Sequence, residues 1–333
     1  MRAPIVIDRR FWTRGMLSVY KVSCVAAFTG CSARVEGRTE RSCLRYCQRN
    51  PSRGNDLMQD DLIYDVGLHR GEDTDFYIKM GFRVVGIEAN PKLVSAAQKR
   101  FSKEIESGQL TLVEGAVAPK SFGDEMTFYS NKTFSEWGTI HDTRKSKYEM
   151  WGYGSSEIRV KRVDVTDLFR SLGVPYFLKI DIEGAETVTL NELNGVNERP
   201  QYVSIESEKI KLPYLVAEMN LLKSLGYKKF KIVQQQGISS SRISVENRIG
   251  EKLDYVFDYC SSGPFGENAP GPWLTFDEAI KEYRKIFFRY KLFGDYSRIP
   301  KRIGIRGLSE KIYRRATGYK GPLPGWFDTH ASL

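Results

Sequence analysis

From Asp56 onward, short β-branched or aromatic runs alternate with stretches whose apolar residues recur every three or four positions. The runs predict strands at Leu62–Val66, Arg83–Glu88, Leu110–Val117, Tyr176–Asp181, Tyr202–Glu206, Lys229–Val233 and Leu253–Tyr259. The stretches between them predict helices at Asp73–Met80, Pro91–Phe101, Asp164–Leu172, Ala185–Leu193 and Tyr214–Leu225, with Asp164 as an N-cap and Gly173 as a stop. A later helix starts at Thr275, where Thr275-x-x-Glu278 fits a capping box, and runs to about Tyr290. Such alternation implies an α/β fold, a mostly parallel sheet with helices on both faces. Between Phe128 and Val160 the rhythm breaks into a polar, aromatic excursion or hairpin, and no internal repeat is visible.

Charge changes the picture at the N-terminus. Residues 1–55 hold eleven Lys/Arg against three acids and carry four of the five cysteines, Cys24, Cys31, Cys43 and Cys47. The other 278 residues hold 40 basic and 38 acidic residues. The net charge of +10 over 333 residues therefore belongs mostly to the extension and implies no nucleic-acid partner. Residues 1–55 read as a disordered extension or as sequence upstream of a true start at Met58. The alternatives are a targeting segment, with Arg9, Arg10 and Arg14 ahead of an apolar run from Met16 to Phe28, and an iron–sulfur set on Cys43 and Cys47, where Asn50 stands in the third ligand's place. Five cysteines are too few for a disulfide framework. No run approaches ~18 consecutive apolar residues, so no integral membrane span is expected, and the expected location is cytoplasmic. The division expected is an extension (1–55), one domain (56–290) and a basic, Gly/Pro-punctuated tail or lid (291–333); the oligomeric state is not legible.

Three motifs carry chemistry. Asp65-Val-Gly67-x3-Gly71 joins a strand to a helix through glycines that let backbone approach a ligand. The spacing is neither the dinucleotide fingerprint nor a P-loop, and alone it fits a tight turn. Glu88 ends the second strand, where a carboxylate can accept hydrogen bonds from ribose hydroxyls. Glycines after strand one with an acid after strand two point to a nucleoside across the C-terminal edge of the sheet. In Lys179-Ile-Asp181-Ile-Glu183-Gly-Ala-Glu186 three acids gather at a strand-to-helix turn on that edge, although Glu183 and Glu186 also suit a helix first turn.

Together, Asp65-Val-Gly-x3-Gly71, Val85-Gly-Ile-Glu88-Ala-Asn-Pro91 and above all Lys179-Ile-Asp-Ile-Glu-Gly-Ala-Glu186 resemble the FkbM-type S-adenosylmethionine-dependent methyltransferases over roughly residues 60–235. The resemblance implies a class I, Rossmann-like sheet whose last strand is antiparallel, S-adenosylmethionine as cofactor, and methyl transfer to a hydroxyl oxygen of a small or glycan-type acceptor. It implies that Asp65, Gly67 and Gly71 surround the aminoacyl end of the cofactor, that Glu88, with Ala89 after it, holds the ribose, that Gly115 and Ala116 face the adenine, and that Asp181 sits near the sulfonium. Many members have Ala-Asn after the first glycine; here Leu68-His69-Arg70 follows Gly67, so His69 or Arg70 would replace those contacts.

An alcohol acceptor needs a base within hydrogen-bond reach. Asp181, Glu183, Glu206 and His141 are the candidates, and Trp137, Tyr148, Trp151 and Tyr153 form either an acceptor wall or a hydrophobic cover. No His-Glu-x-x-His, paired CxxC or Gly-x-Ser-x-Gly is present, so zinc and nucleophile-elbow chemistry are disfavoured and no metal site is assigned. Magnesium-assisted transfer would have Asp181 and Glu206 but no evident third ligand. The readings kept beside methyl transfer are a non-catalytic nucleoside-binding module on the same fold and a nicotinamide-dependent oxidoreductase.

Overall fold

The computed structural model describes residues 58–208, 211–294, 297 and 303–333; the expectations for residues 1–55 lie outside them. Strand β1 (Met58–Val66), helix α1 (Glu72–Lys79) and β2 (Arg83–Glu88) come first, followed by α2 (Pro91–Arg100), α3 (Ser102–Glu106), β3 (Leu110–Glu114) and the short β4 (Ala116–Val117). The polar excursion is β5 (Glu125–Asn131), α4 (Asp142–Met150) and β6 (Ser155–Val163). Next come α5 (Val165–Leu172), β7 (Val174–Ile180), α6 (Glu186–Glu192), β8 (Tyr202–Glu206), α7 (Leu212–Ser224) and β9 (Lys229–Gln234). A hairpin of β10 (Arg242–Glu246) and β11 (Lys252–Val256) precedes α8 (Phe276–Phe293), α9 (Ile303–Thr317) and β12 (Phe327–Ser332).

The central sheet runs β3-β2-β1-β7-β8-β12-β9. Its directly paired strands are parallel from β3 to β8, and β12 lies antiparallel to both β8 and β9. The fold is thus the α/β, Rossmann-like arrangement expected, antiparallel last strand included. Parallel strands covered on both faces read as apolar runs with a split of period two. In β1, Leu62, Tyr64 and Val66 enter a core with Phe169, Leu215 and Tyr283, while Ile63 joins Phe76, Tyr77 and Phe177 on the opposite face. Local signals set the helix starts. The side chain of Asn90 caps α2 ahead of Pro91, that of Asp164 caps α5, and Thr275 with Glu278 forms the expected capping box of α8.

Three expectations change. The one strand foreseen at Leu110–Val117 is broken at Gly115 into β3, in the central sheet, and β4, which pairs with β6 in a separate sheet. The strand foreseen at Leu253–Tyr259 is β11, paired only with β10 in a separate two-stranded sheet. The segment 291–333, expected as a tail or lid outside a domain ending at 290, lies within the unit Asn55–Leu333 and supplies β12 to the middle of the sheet. β12 is buried along its whole length although four of its six residues are polar. The Thr329 hydroxyl is matched non-locally, lying with those of Tyr283 and Ser207 at 2.5–2.9 Å from one another, whereas both ring nitrogens of His330 are buried with no partner among the described residues.

Candidate functional site

The C-terminal ends of the parallel strands open into a cavity of about 660 Å³. Its wall includes Gly67, His69, Glu88, Ala89, Gly115, Ala116, Asp181 and Glu206 among the residues foreseen from sequence. Asp65, Gly71 and His141 are not part of that wall. Asp65 is fully buried behind it, Gly71 faces the ring of Phe101, and His141 turns Nε2 to the carbonyl oxygen of Gly184 at 3.0 Å.

The turn after β1 is tied to β2, because the amides of Gly67 and Leu68 both donate to the carbonyl of Ile87, at 2.9 and 3.0 Å. Gly67 has φ +90°, and a Cβ there would lie 1.9 Å from the carbonyl oxygen of Asp181. Glycine is required on both counts. His69 takes a left-handed φ of 57°. In that conformation its amide donates to Glu88 Oε2 at 2.8 Å and its ring reaches Glu72 at 3.1 Å and Ser135 at 2.7 Å. The amide of Asn90 donates to Glu88 Oε1 at 2.7 Å, so both oxygens of Glu88 are oriented at the cavity wall while keeping lone pairs for a ligand. Burial pushes the Glu88 carboxyl above its usual range, against the pull of those amides.

Beneath this wall lies a buried charge network. Asp65 on β1 and Lys179 on β7 are register partners and share a face of the sheet. The Lys179 ammonium sits 3.2 Å from Asp65, 3.1 Å from Asp73 and 3.7 Å from Asp181. Burial alone would lower its pKa; the three carboxylates outweigh that and raise it well above the ordinary value. Thr74 donates to Asp65 at 2.7 Å, and the amide of Ser262 donates to Asp73 at 2.9 Å.

Three carboxylates end neighbouring strands in the cavity: Asp181 after β7, Glu206 on β8 and Asp328 on β12, the last two facing each other in register. The Asp181 side chain is 43% exposed, and that exposure opens into the cavity. Burial and the neighbouring acids, Glu206 first, raise the pKa of Asp181; Asp328 is raised further by burial, Asp181 and Glu206. Glu183, with a left-handed φ of 52°, is ion-paired to Arg144 and accepts from the Tyr148 hydroxyl at 3.0 Å. Trp137 stacks on Tyr148, with centroids 5.1 Å apart, and Phe134 and Trp137 carry this aromatic cluster to the cavity wall. Gln235 Nε2 and Ser261 Oγ are buried at the same cavity with no partner among the described residues. No group of three or more His, Cys, Asp or Glu among the described residues has the arrangement of a metal site.

Sequence reasoning missed Glu72, Asp73, Asp328, Gln235 and Ser261, and it quoted Lys179 without a role. Lys179 did carry a signal, since a lysine between Leu178 and Ile180 in an apolar strand needs buried partners. Asp328 carried none, its segment reading as polar tail.

Glu218 on α7 is a further acid of this region. Burial, with Glu186, Glu208 and Glu206 nearby, pushes it up to about 8 from an ordinary 4.5. A raised folded-state pKa contributes stability that is full below 4.5 and lost as pH rises through about 8. Glu218→Gln is therefore expected to leave acid stability unchanged and to raise stability above pH 8 by about 2 kcal/mol. Thermal unfolding across pH checks this, and parallel melting curves for the two proteins would disprove it.

The family described as the methyltransferase FkbM domain matches residues 65–229. No curated protein matches the chain. Among solved structures, the chain is similar to the precorrin-6y C5,15-methyltransferase of Geobacter metallireducens GS-15, at 10% identity over 60% of this chain and 77% of that one, with a TM-score of 0.31. It is also similar to a SAM-dependent methyltransferase of Geobacter sulfurreducens in complex with S-adenosyl-L-homocysteine, at 11% identity over 89% and 90% of the two chains and a TM-score of 0.31. A SAM-dependent methyltransferase from Aquifex aeolicus matches at 15% identity over 54% and 78%, with a TM-score of 0.27. At these scores the structural likenesses carry no further argument. The match over residues 65–229 does: it contains the turn after β1, Glu88 and the acid-rich turn after β7, and this part of the chain is an FkbM-type methyltransferase domain.

Proposed function

We propose that this cavity binds S-adenosylmethionine and that the chain transfers a methyl group to a hydroxyl oxygen of a small or carbohydrate acceptor. The observation that carries the reading is the seating of Asp181, Glu206 and Asp328 in one cavity with the oriented carboxylate of Glu88. The volume of about 660 Å³ falls within the range of small-molecule sites. S-adenosylmethionine, when bound, supplies a methyl group on a positively charged sulfur. Glu88 accepts from ribose hydroxyls, Gly67 and His69 form the wall of the aminoacyl side, and Gly115 and Ala116 offer backbone to the adenine.

On the acceptor side, Gln235 Nε2 and Ser261 Oγ offer unused polar groups to hydroxyls, and Phe134, Trp137 and Trp326 offer apolar faces. Asp181 is the base, with Glu206 and Asp328 beside it; a carboxylate whose pKa is raised by burial is a better proton acceptor. Bound S-adenosylmethionine would supply the methyl group for displacement by the acceptor oxygen, and Asp181 would take the hydroxyl proton. Such a displacement needs little covalent help, so alignment supplies much of the acceleration. The cytoplasmic setting expected from sequence belongs to this proposal; among the described residues no helix is long and apolar enough to cross a membrane.

Calorimetric titration of the full chain with S-adenosylmethionine, S-adenosylhomocysteine and NAD tests the cofactor. Binding of the first two and not the third is expected. Mass spectrometry of products from hydroxylated and amino acceptors tests the acceptor atom; methylation at nitrogen alone, or cofactor binding with no turnover on any acceptor, would reject the O-transfer reading. Glu88→Ala is expected to weaken cofactor binding about tenfold to a hundredfold through two lost charge-assisted hydrogen bonds, and an unchanged dissociation constant would remove Glu88 from the site.

A further inference from the structure

Helix α9 (Ile303–Thr317) has two unlike faces. Its inner face is held to the fold. The Tyr313 ring lies edge-on to Phe293 with centroids 5.3 Å apart, Arg306 donates to the Phe293 carbonyl at 2.8 Å and pairs with Glu310, and Arg314 donates to the Gly321 carbonyl at 2.9 Å. Its outer face carries Ile305, Leu308 and Ile312, which are 47%, 60% and 60% exposed. The i, i+3, i+7 spacing puts the three in one stripe, and exposed Lys311 and Arg315 border it. The one acid of the helix, Glu310, is turned inward to Arg306. From residue 303 to 320 the chain holds five basic residues and one acid.

Large apolar side chains at helical spacing, beside cations and without an acid, are the pattern of a helix that lies in a bilayer interface. Charge narrows the choice of occupant. Residues 1–55 carry a net +8, the same sign as this face, and a symmetric second copy would set Lys311 and Arg315 against their own kind, so neither complements it in charge. An anionic surface complements both the stripe and its border. We propose that the outer face of α9 docks on an anionic lipid surface, with Ile305, Leu308 and Ile312 in the acyl boundary and Lys311 and Arg315 on the headgroup phosphates. Helix α9 is about 22 Å long, enough to span several headgroups. Five residues separate its end at Thr317 from Leu323 at the cavity wall, a path of at most roughly 20 Å. An acceptor presented at that surface is thereby within reach of the cavity.

Flotation of the full chain with phosphatidylcholine vesicles, and with vesicles in which part of the lipid is phosphatidylglycerol, tests the proposal. The protein is expected to float with the anionic vesicles only and to be released by salt. Lys311→Gln and Arg315→Gln should each weaken binding about fivefold, and the joint change Ile305→Ser, Leu308→Ser and Ile312→Ser should weaken it at least about tenfold. These side chains are about half exposed or more, so thermal unfolding of the triple variant should stay close to that of the parent. Failure of the parent to float, equal flotation on both vesicles, or undiminished flotation of the triple variant would overturn the proposal. So would a concentration-dependent dimer that the triple variant abolishes, since a second copy would then own the face. None of these outcomes depends on which acceptor the enzyme methylates.

Discussion

Lys179→Met is expected to destabilise the protein by about 3–5 kcal/mol at neutral pH. Methionine nearly matches the lysine stem in volume, so packing changes little. What is lost is the ammonium between Asp65, Asp73 and Asp181, of which Asp65 and Asp73 are almost completely buried. Leaving buried carboxylates without a cation costs more than the pairs themselves contribute. Burial already raises Asp73 and Asp181 from an ordinary 3.8, against the pull of Lys179; without that pull both rise further. A raised folded-state value contributes stability that is full below the unfolded value and lost as pH climbs. The deficit of the variant should therefore be largest at neutral pH and shrink as the pH falls toward 3.8. Denaturant unfolding of both proteins across that range checks the size and the slope. A deficit that stays constant with pH would mean that packing, not charge, is what Lys179 provides.

Gly67→Ala is expected to abolish cofactor binding, a loss of about a hundredfold or more, and to lower stability by about 2–4 kcal/mol. The added Cβ would stand 1.9 Å from the Asp181 carbonyl oxygen and 3.2 Å from the Ile182 side chain, and alanine resists a φ of +90°. Relief of the clash must separate the turn after β1 from the turn after β7, the two loops that carry His69 and Asp181 to the cavity. Gly123→Ala is the control, because it shares a positive φ but has nothing within 4 Å of the new Cβ. Its stability loss should reflect backbone strain alone, with cofactor affinity unchanged. Equal losses of affinity in both variants would show that the close approach at Gly67 is unimportant.

The strands bounded by punctuation were legible to the residue. Arg83–Glu88 and Tyr202–Glu206 stand as read, because each is an apolar run stopped by a polar turn. Leu253–Tyr259 shows the limit of that logic. Alternation identifies a strand and is silent on its partner, and here the partner is β10 rather than the main sheet. Phe327–Ser332 was illegible because local composition argues against a buried strand; its backbone ladder and the Thr329 hydroxyl find partners far away in sequence, and His330 is buried with both ring nitrogens unpartnered among the described residues. The candidate site divides the same way. Gly67, Glu88 and Asp181 stand at strand ends, where local pattern shows them. Asp73 and Asp328 become site residues only through the packing of α1 and β12. Asp65 looked like a ligand contact, yet the period of two that buries Ile63 also turns Asp65 inward to Lys179.

The position of β12 has a consequence for how the protein is made. The other strands of the central sheet emerge from the ribosome before it, and until it arrives β8 and β9 each present an unsatisfied row of amides and carbonyls. Exposed rows of this kind invite pairing with other chains. A nascent or prematurely released chain is thus an adhesive species with a gap in its sheet, and Asp328 reaches the cavity only when that gap closes. Closing the sheet and completing the cavity wall are one event, so a fragment ending before Phe327 has neither.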